Sequence, residues 1–116
     1  MAVTITPEGL GGTTRIIRDA DGDATLEANV NDGAATIYCV DIDNAANAAV
    51  TYVKFWNATT ATVGTTDPDM ILMVHASVRR TFTFIGGVTF GTGLSWAGLT
   101  AGGTAGVTGP TSNVIM

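Results

Sequence analysis

The sequence predicts an all-β protein that folds as a single antiparallel β-sandwich over residues 1–116. β-branched residues dominate the chain, and clusters of Gly, Asn and Asp interrupt them at short intervals, which is typical of strands joined by turns. No window shows the 3.6-residue apolar period of an amphipathic helix. A chain of 116 residues also suits one domain with one core. The pattern is compatible with a jelly-roll or an immunoglobulin-like topology.

Turn residues set the limits of the expected strands. In chain order these strands are residues 2–6, 13–18, 24–30, 35–43, 49–57, 70–76, 78–85, 88–90, 94–97 and 113–116. Asp32-Gly33 separates two β-rich runs and predicts a hairpin, because both residues tolerate positive φ. Gly86-Gly87 predicts a further turn, and the Ala-rich residues 44–49 are too short for an independent helix and are expected to form a loop. Residues 1–33 are the most polar part and are expected to be an arm or an extra edge hairpin.

Alternation along a strand assigns side chains to faces. Residues 78–85 place Phe82 and Phe84 on one face, which is expected to be core. The strand at 49–57 is bulky on both sides, so burying one side within the sandwich leaves the other exposed. Two interpretations follow: an interface with a partner, or a strand with both sides covered by other parts of the chain. The interface hypothesis takes Asn44, Asn47, Tyr52, Lys54 and Trp56 as contact residues.

Composition excludes several classes of function. Charged residues make up 13% of the chain, against about 25% in typical domains. A net charge of −5 disfavours binding to nucleic acid, and no apolar run approaches the roughly 18 residues that span a bilayer. The N-terminal residues do not resemble a secretory signal, and the single cysteine, Cys39, excludes an intrachain disulfide, so we expect a chain that folds in a cytoplasm.

The sequence offers little catalytic chemistry. His75 is the only histidine, and pairing it with Ser77 or Ser95 in a hydrolase would need a geometry that the sequence does not suggest. Cys39 is expected to be buried in a strand. We therefore predict no catalytic residue and no cofactor.

A run of alternating aspartates resembles the start of a calcium loop. Asp19, Asp21 and Asp23 offer oxygen ligands at alternate positions, but Ala24 and Val30 stand where an EF-hand needs Gly and Glu. A solvated turn is the preferred interpretation, with a calcium loop of another type as the alternative. No metal is therefore expected.

Several segments within residues 38–113 resemble a group of small virion structural proteins of phages and prophages. The resemblance is carried by VDIDN at 40–44, YVKFWN at 52–57, VGTTDPD at 63–69, RTFTF at 80–84 and GLSWAG at 93–98. These are patterns of strand and turn rather than catalytic signatures. The resemblance therefore implies a structural role and carries over no active-site residue.

The resemblance implies a capsid cement, or decoration, protein located in the virion. Such a protein would bind the major capsid protein across the seams between its subunits, and a homotrimer would suit local threefold positions. The alternatives are a tail, neck or fibre component, and more distantly a carbohydrate-binding module that stacks sugars on Trp56, Trp96 or Tyr52. No direct contact with nucleic acid or membrane is expected.

Overall fold

The computed structural model describes residues 3–7 and 15–116, and within these residues the chain forms seven strands and no helix. The ends of the first two expected strands, at residue 2 and at residues 13–14, lie outside the described residues. The strands are β1 (Val3–Pro7), β2 (Arg15–Asp19), β3 (Ala35–Asp43), β4 (Thr51–Trp56), β5 (Met70–Val74), β6 (Arg79–Phe90) and β7 (Ser95–Leu99).

The strands pair only in antiparallel fashion, which confirms the expected all-β sandwich. β3 pairs with β6, and β1 pairs with β2 as an edge hairpin would. β4 lies between β5 and β7 in a three-stranded sheet. The core lies between the β3–β6 pair and this three-stranded sheet, because buried side chains of both contribute to one cluster.

Two segments outside the named strands extend these sheets. Residues 114–116 lie between β3 and β2: Ile115 exchanges backbone hydrogen bonds with Asp43, and Met116 exchanges two of 2.9 Å with Asp19. Residues 23–30 run beside β7, where Glu27 and Trp96 exchange backbone hydrogen bonds of 2.8 and 3.1 Å. The expected strand at 24–30 is thus reduced to an isolated bridge.

Aromatic rings form the centre of the core. The ring centroid of Phe55 on β4 lies 6.4 Å from that of Phe90 and 6.2 Å from that of Trp96, the latter in an edge-to-face arrangement. Such tilted contacts are the favoured geometry for aromatic pairs. Aliphatic side chains of both sheets pack around them: Val30, Ile37, Val40, Ile42, Val53, Leu72, Val74, Leu94 and Val114.

The expected hairpin at Asp32-Gly33 is wrong, although its turn chemistry is right. Asp32 and Gly33 adopt positive φ, at 52° and 127°. However, the segments on either side do not pair with each other, because residues 23–30 lie along β7 whereas β3 pairs with β6. The turn therefore carries the chain from one sheet to the other, since local turn preference does not decide which strand is the partner.

The turn expected at Gly86-Gly87 is also wrong, because both glycines lie inside β6. They adopt φ of 82° and 81°, which residues with a Cβ rarely do, and the register against β3 shifts between Ile37 and Cys39. The extra length of β6 bulges outward here and leaves Ile85 fully exposed. The two strands expected at 78–85 and 88–90 are thus one bulged strand.

The same bulge changes which side chains of β3 face the core. Ile37 is buried on one side of the shift, and Val40 and Ile42 are buried on the other. Tyr38 and Cys39 are consecutive exposed residues between them. The expected burial of Cys39 is therefore wrong, because strict alternation of buried and exposed residues fails at a bulge.

Both faces of β4 are buried, so the expectation of one exposed face is wrong. Val53 and Phe55 face the core, while Lys54 and Trp56 on the opposite face are 0% and 1% exposed. Two long loops cover this outer face: the Trp56 indole N–H donates to the carbonyl oxygen of Thr66, and Lys54 Nζ lies 3.4 Å from the carbonyl oxygen of Ala105. The second interpretation, a strand covered by other parts of the chain, is confirmed.

Candidate functional site

Three carboxyl groups converge where the two sheets meet. Asp19 ends β2, Asp21 lies two residues further on, and Glu27 belongs to the segment beside β7. One carboxylate oxygen from each residue lies within 4.8 Å of the others. We call this group the acidic cluster.

Backbone pairing positions the acidic cluster. Asp19 is held by its two hydrogen bonds to Met116, and Glu27 by its pair with Trp96. Gly22 lets the chain pass close to Val114, because a Cβ at this position would lie 2.8 Å from both Cγ2 and the carbonyl oxygen of Val114. The cluster thus depends on contacts between parts of the chain that are far apart in sequence.

Asp19 is fully buried and hydrogen-bonded. Its Oδ2 accepts a hydrogen bond of 2.8 Å from the indole N–H of Trp96, and its Oδ1 accepts one of 3.1 Å from the backbone N–H of Asp21. Burial raises the pKa of the Asp19 carboxyl, and the hydrogen bond from Trp96 opposes this rise. The site therefore holds a carboxyl group in an environment that disfavours its charge.

Glu27 is the more unusual member. Its side chain is 3% exposed, and its Oε2 has no hydrogen-bond partner among the residues that the structure describes. Burial raises the pKa of Glu27 to about 7, and the nearby charges of Asp19 and Asp21 act in the same direction. An unsatisfied buried carboxylate oxygen costs several kcal/mol in general, so it needs an explanation.

The expected aspartate run contributes only in part. Asp19 and Asp21 belong to the acidic cluster, whereas Asp23 does not and instead accepts a hydrogen bond of 2.8 Å from the backbone N–H of Thr25. Sequence reasoning missed Glu27. A glutamate within an expected strand is a weak hint, and nothing in the sequence indicates that this strand runs beside the aspartates.

The five residues of the interface hypothesis are mostly interior. Asn44, Asn47, Lys54 and Trp56 are buried, and Tyr52 is half-buried with its ring close to Gly102. The asparagines serve the fold itself. Asn44 Nδ2 donates to the carbonyl oxygens of Ala49 and His75, its Oδ1 accepts from Asn47 and Thr51, and Asn47 also pairs with the backbone of Ser112. The four buried side chains therefore offer no exposed surface for the contact that was expected of them, and Tyr52 retains only part of its exposure.

A groove of about 1030 Å³ separates β2 from β3. β2 pairs with β1 and β3 pairs with β6. Among the described residues, the strand edges that face the groove therefore have no partner except where residues 115 and 116 bond to Asp43 and Asp19. Exposed side chains at its walls include Ile16 and Tyr38, and its floor reaches the core residues Phe55, Leu94 and Trp96. We call this groove the strand slot.

The strand slot continues the line of residues 114–116. Ile115 bonds to Asp43 on one side and Met116 bonds to Asp19 on the other, as successive residues of a central strand do. At this end, one extended segment therefore fits between β3 and β2. An extended peptide that continued in the same direction would meet both unpaired edges along the slot.

The candidate catalytic residues do not form a constellation among the described residues. His75 is exposed directly after β5. The hydroxyl of Ser77 donates to the carbonyl oxygen of Asn47, and that of buried Ser95 donates to the carbonyl oxygen of Ala58. Both serine hydroxyls thus bond to the backbone rather than to His75.

No protein-family model, curated protein or solved structure matches the chain. None of the described residues belongs to a helix long and apolar enough to cross a membrane. The function is therefore inferred from the fold, the acidic cluster and the strand slot.

Proposed function

We propose that this chain is a structural component of a phage virion, and more specifically a capsid cement protein that binds across the seams between major capsid protein subunits. The strand slot is the observation that carries the proposal. Beyond their bonds to residues 115 and 116, its two strand edges have no partner within residues 3–7 and 15–116 and offer backbone N–H and C=O groups. Its floor offers apolar side chains. Such a surface suits an extended segment of a neighbouring subunit, which would bind by strand addition.

Surface composition supports the same role. Ile16 and Tyr38 are 56% and 59% exposed at the slot, although few side chains of the whole chain carry charge. Burying such apolar area contributes about 25 cal/mol per Å² before the entropy of association is subtracted. A protein that binds the assembled shell more tightly than it binds free subunits stabilises that shell by mass action. Local threefold positions in a shell present the same site three times, which favours a closed homotrimer.

The buried tryptophans weigh against the carbohydrate-binding alternative. Trp56 and Trp96 are both buried, and each indole N–H is already bonded within the chain. A sugar-stacking platform needs an open ring face. Of the side chains considered for that role, half-buried Tyr52 alone retains some exposure.

Copy number per particle tests the proposal. Quantitative mass spectrometry of purified particles should give hundreds of copies, in fixed proportion to the major capsid protein. A few to tens of copies would instead assign the chain to a tail, neck or fibre. Absence from particles, together with a stable monomer at high concentration, would refute a virion role altogether.

Add-back to particles that lack the chain tests the strand slot. Ile16→Arg places a charge at the slot and should reduce co-sedimentation with heads at least tenfold. Ile85→Arg is the matched control, because Ile85 is fully exposed on the bulge of β6, away from the slot lining. Equal binding by both variants would show that the slot is not the contact surface.

A further inference from the structure

We propose that Asp19, Asp21 and Glu27 form a binding site for one divalent cation of the size of Ca²⁺. This inference is independent of the proposed virion role. It begins with the convergence of three carboxyl groups from two separate segments of the chain. Two of them, Asp19 and Glu27, are almost completely buried.

The unsatisfied oxygen of Glu27 is the second observation that indicates a ligand. Glu27 Oε2 is buried without a hydrogen-bond partner among the described residues, although it belongs to a cluster of acceptors. Within the same part of the chain, neither Asp19 nor Glu27 forms an ion pair with a lysine or arginine. A cation would supply the missing contact to Glu27 Oε2, and it would supply a positive charge that none of the described lysines and arginines provides.

The existing hydrogen bonds leave room for metal coordination. Trp96 and the backbone N–H of Asp21 each use one lone pair on a different oxygen of Asp19. A carboxylate oxygen has a further lone pair, so Asp19 can bind an ion while keeping both hydrogen bonds. The bond from Trp96 then acts as the outer contact that orients a ligand.

The type and the burial of the donors favour one ion, and their spacing fits it. Ca²⁺–oxygen distances of about 2.4 Å place two ligand oxygens at most about 4.8 Å apart. Mg²⁺ gives up its waters reluctantly and is usually bound through one or two carboxylates, so a largely buried group of three carboxylates suits Ca²⁺ better. The three carboxylate oxygens lie within 4.8 Å of one another. Oxygen-only donors favour hard cations over zinc or copper, and half-buried Asp21 leaves a side on which water can complete the coordination.

A bound ion would link the two sheets. Asp19 belongs to β2, which residues 114–116 connect to β3, whereas Glu27 lies beside β7 of the three-stranded sheet. A cation between them would therefore oppose separation of the layers. It would also remove the repulsion between the buried carboxylates.

Calorimetric titration of CaCl₂ into the chelator-treated full chain at pH 7.5 tests the site. We expect one Ca²⁺ per chain, a rise in Tm of about 10 °C at a hundred times Kd, and weaker binding of MgCl₂. Terbium emission excited through tryptophan should appear on addition of TbCl₃, because Trp96 bonds directly to Asp19. No binding heat and no Tm shift at millimolar CaCl₂ would overturn the proposal, and equal affinity for Mg²⁺ would overturn the choice of ion.

Two variants separate the site from general charge effects. Glu27→Gln keeps the shape of the side chain but should weaken Ca²⁺ binding at least tenfold. Asp32→Asn makes the same charge change at an exposed residue whose positive φ asparagine tolerates, and it should bind as the parent does. Equal loss in both variants, or unchanged binding in Glu27→Gln, would refute the assignment. If Glu27→Gln does not fold, the calcium stoichiometry and terbium emission of the parent chain decide the question.

Discussion

Replacing Asn44 with alanine should destabilise the protein more than any exposed asparagine change. Asn44 is fully buried in the loop after β3, and its amide joins three parts of the chain. Its Nδ2 donates to the carbonyl oxygens of Ala49 and His75 at 3.1 Å each, and its Oδ1 accepts from Thr51 Oγ1 at 2.8 Å. Alanine removes all of these hydrogen bonds at once.

The magnitude follows from the groups left unpaired. Thr51 is itself fully buried, and its hydroxyl loses the acceptor on Asn44. A buried polar group without a partner costs about 1–3 kcal/mol, and the two carbonyl oxygens add smaller losses. We expect a loss of about 3–5 kcal/mol from the free energy of unfolding, which corresponds to a fall in Tm of roughly 15 °C.

Urea denaturation of Asn44→Ala measures this loss. Asn113→Ala is the control, because Asn113 is exposed, and it should change stability by less than about 0.5 kcal/mol. Adding Thr51→Val to Asn44→Ala removes the orphaned hydroxyl, so the double variant should be less destabilised than the sum of the single changes by about 1–2 kcal/mol. A loss below 1 kcal/mol for Asn44→Ala, or strict additivity with Thr51→Val, would refute the reasoning.

Three further predictions concern other buried groups. Lys54→Met should raise the free energy of unfolding by about 1–3 kcal/mol in urea denaturation. Burial disfavours the charged form of Lys54 and lowers its pKa, and methionine has a similar shape without the charge. A loss of stability in this variant would contradict the prediction. Gly93→Ala should cost about 1–3 kcal/mol in the same assay, since a Cβ would lie 2.9 Å from the backbone of Ala58, whereas Gly91→Ala meets nothing within 4 Å and should be neutral. In chelator, the free energy of unfolding should fall by about 3 kcal/mol as pH rises from 4.5 through about 7, because the pKa of Glu27 is raised in the folded state and that state holds the proton more tightly. Glu27→Gln should flatten this pH profile. A flat profile in the parent chain would contradict the raised pKa of Glu27.

The fold class could be predicted because local patterns determine it. β3 has the predicted bounds, Ala35–Asp43, and β4, β5 and β7 differ from their predicted limits by a few residues. β-branched content and turn residues act over short distances in the chain, so the sequence displays them directly. The pairing of strands is not local, which is why Asp32-Gly33 predicted the right turn but the wrong partner.

The burial of the outer face of β4 could not be predicted from alternation. Lys54 and Trp56 are covered by loop residues such as Ala105 and Thr66. The sequence of a polar, Gly-rich loop does not show where that loop will pack. The exposure of Tyr38 depends in the same way on a bulge in the facing strand. Alternation describes a regular strand in isolation, and these residues are governed by their neighbours.

The acidic cluster shows the same limit. The sequence indicated Asp19 and Asp21 because they are neighbours in the chain. Glu27 joins them because residues 23–30 run beside β7 and residues 114–116 hold the end of β2. Distance in three dimensions, rather than spacing in the sequence, assembles the group.

The position of residues 114–116 has a consequence for how fast the chain folds. They pair with residues near the opposite end of the chain, at Asp19 and Gly22, and with Asp43 in between. Closing loops this long lowers the entropy of the chain before the stabilising contacts have formed. Chains dominated by such distant pairings therefore fold in milliseconds to seconds rather than microseconds. We therefore expect refolding kinetics at the slow end of the range for a small domain.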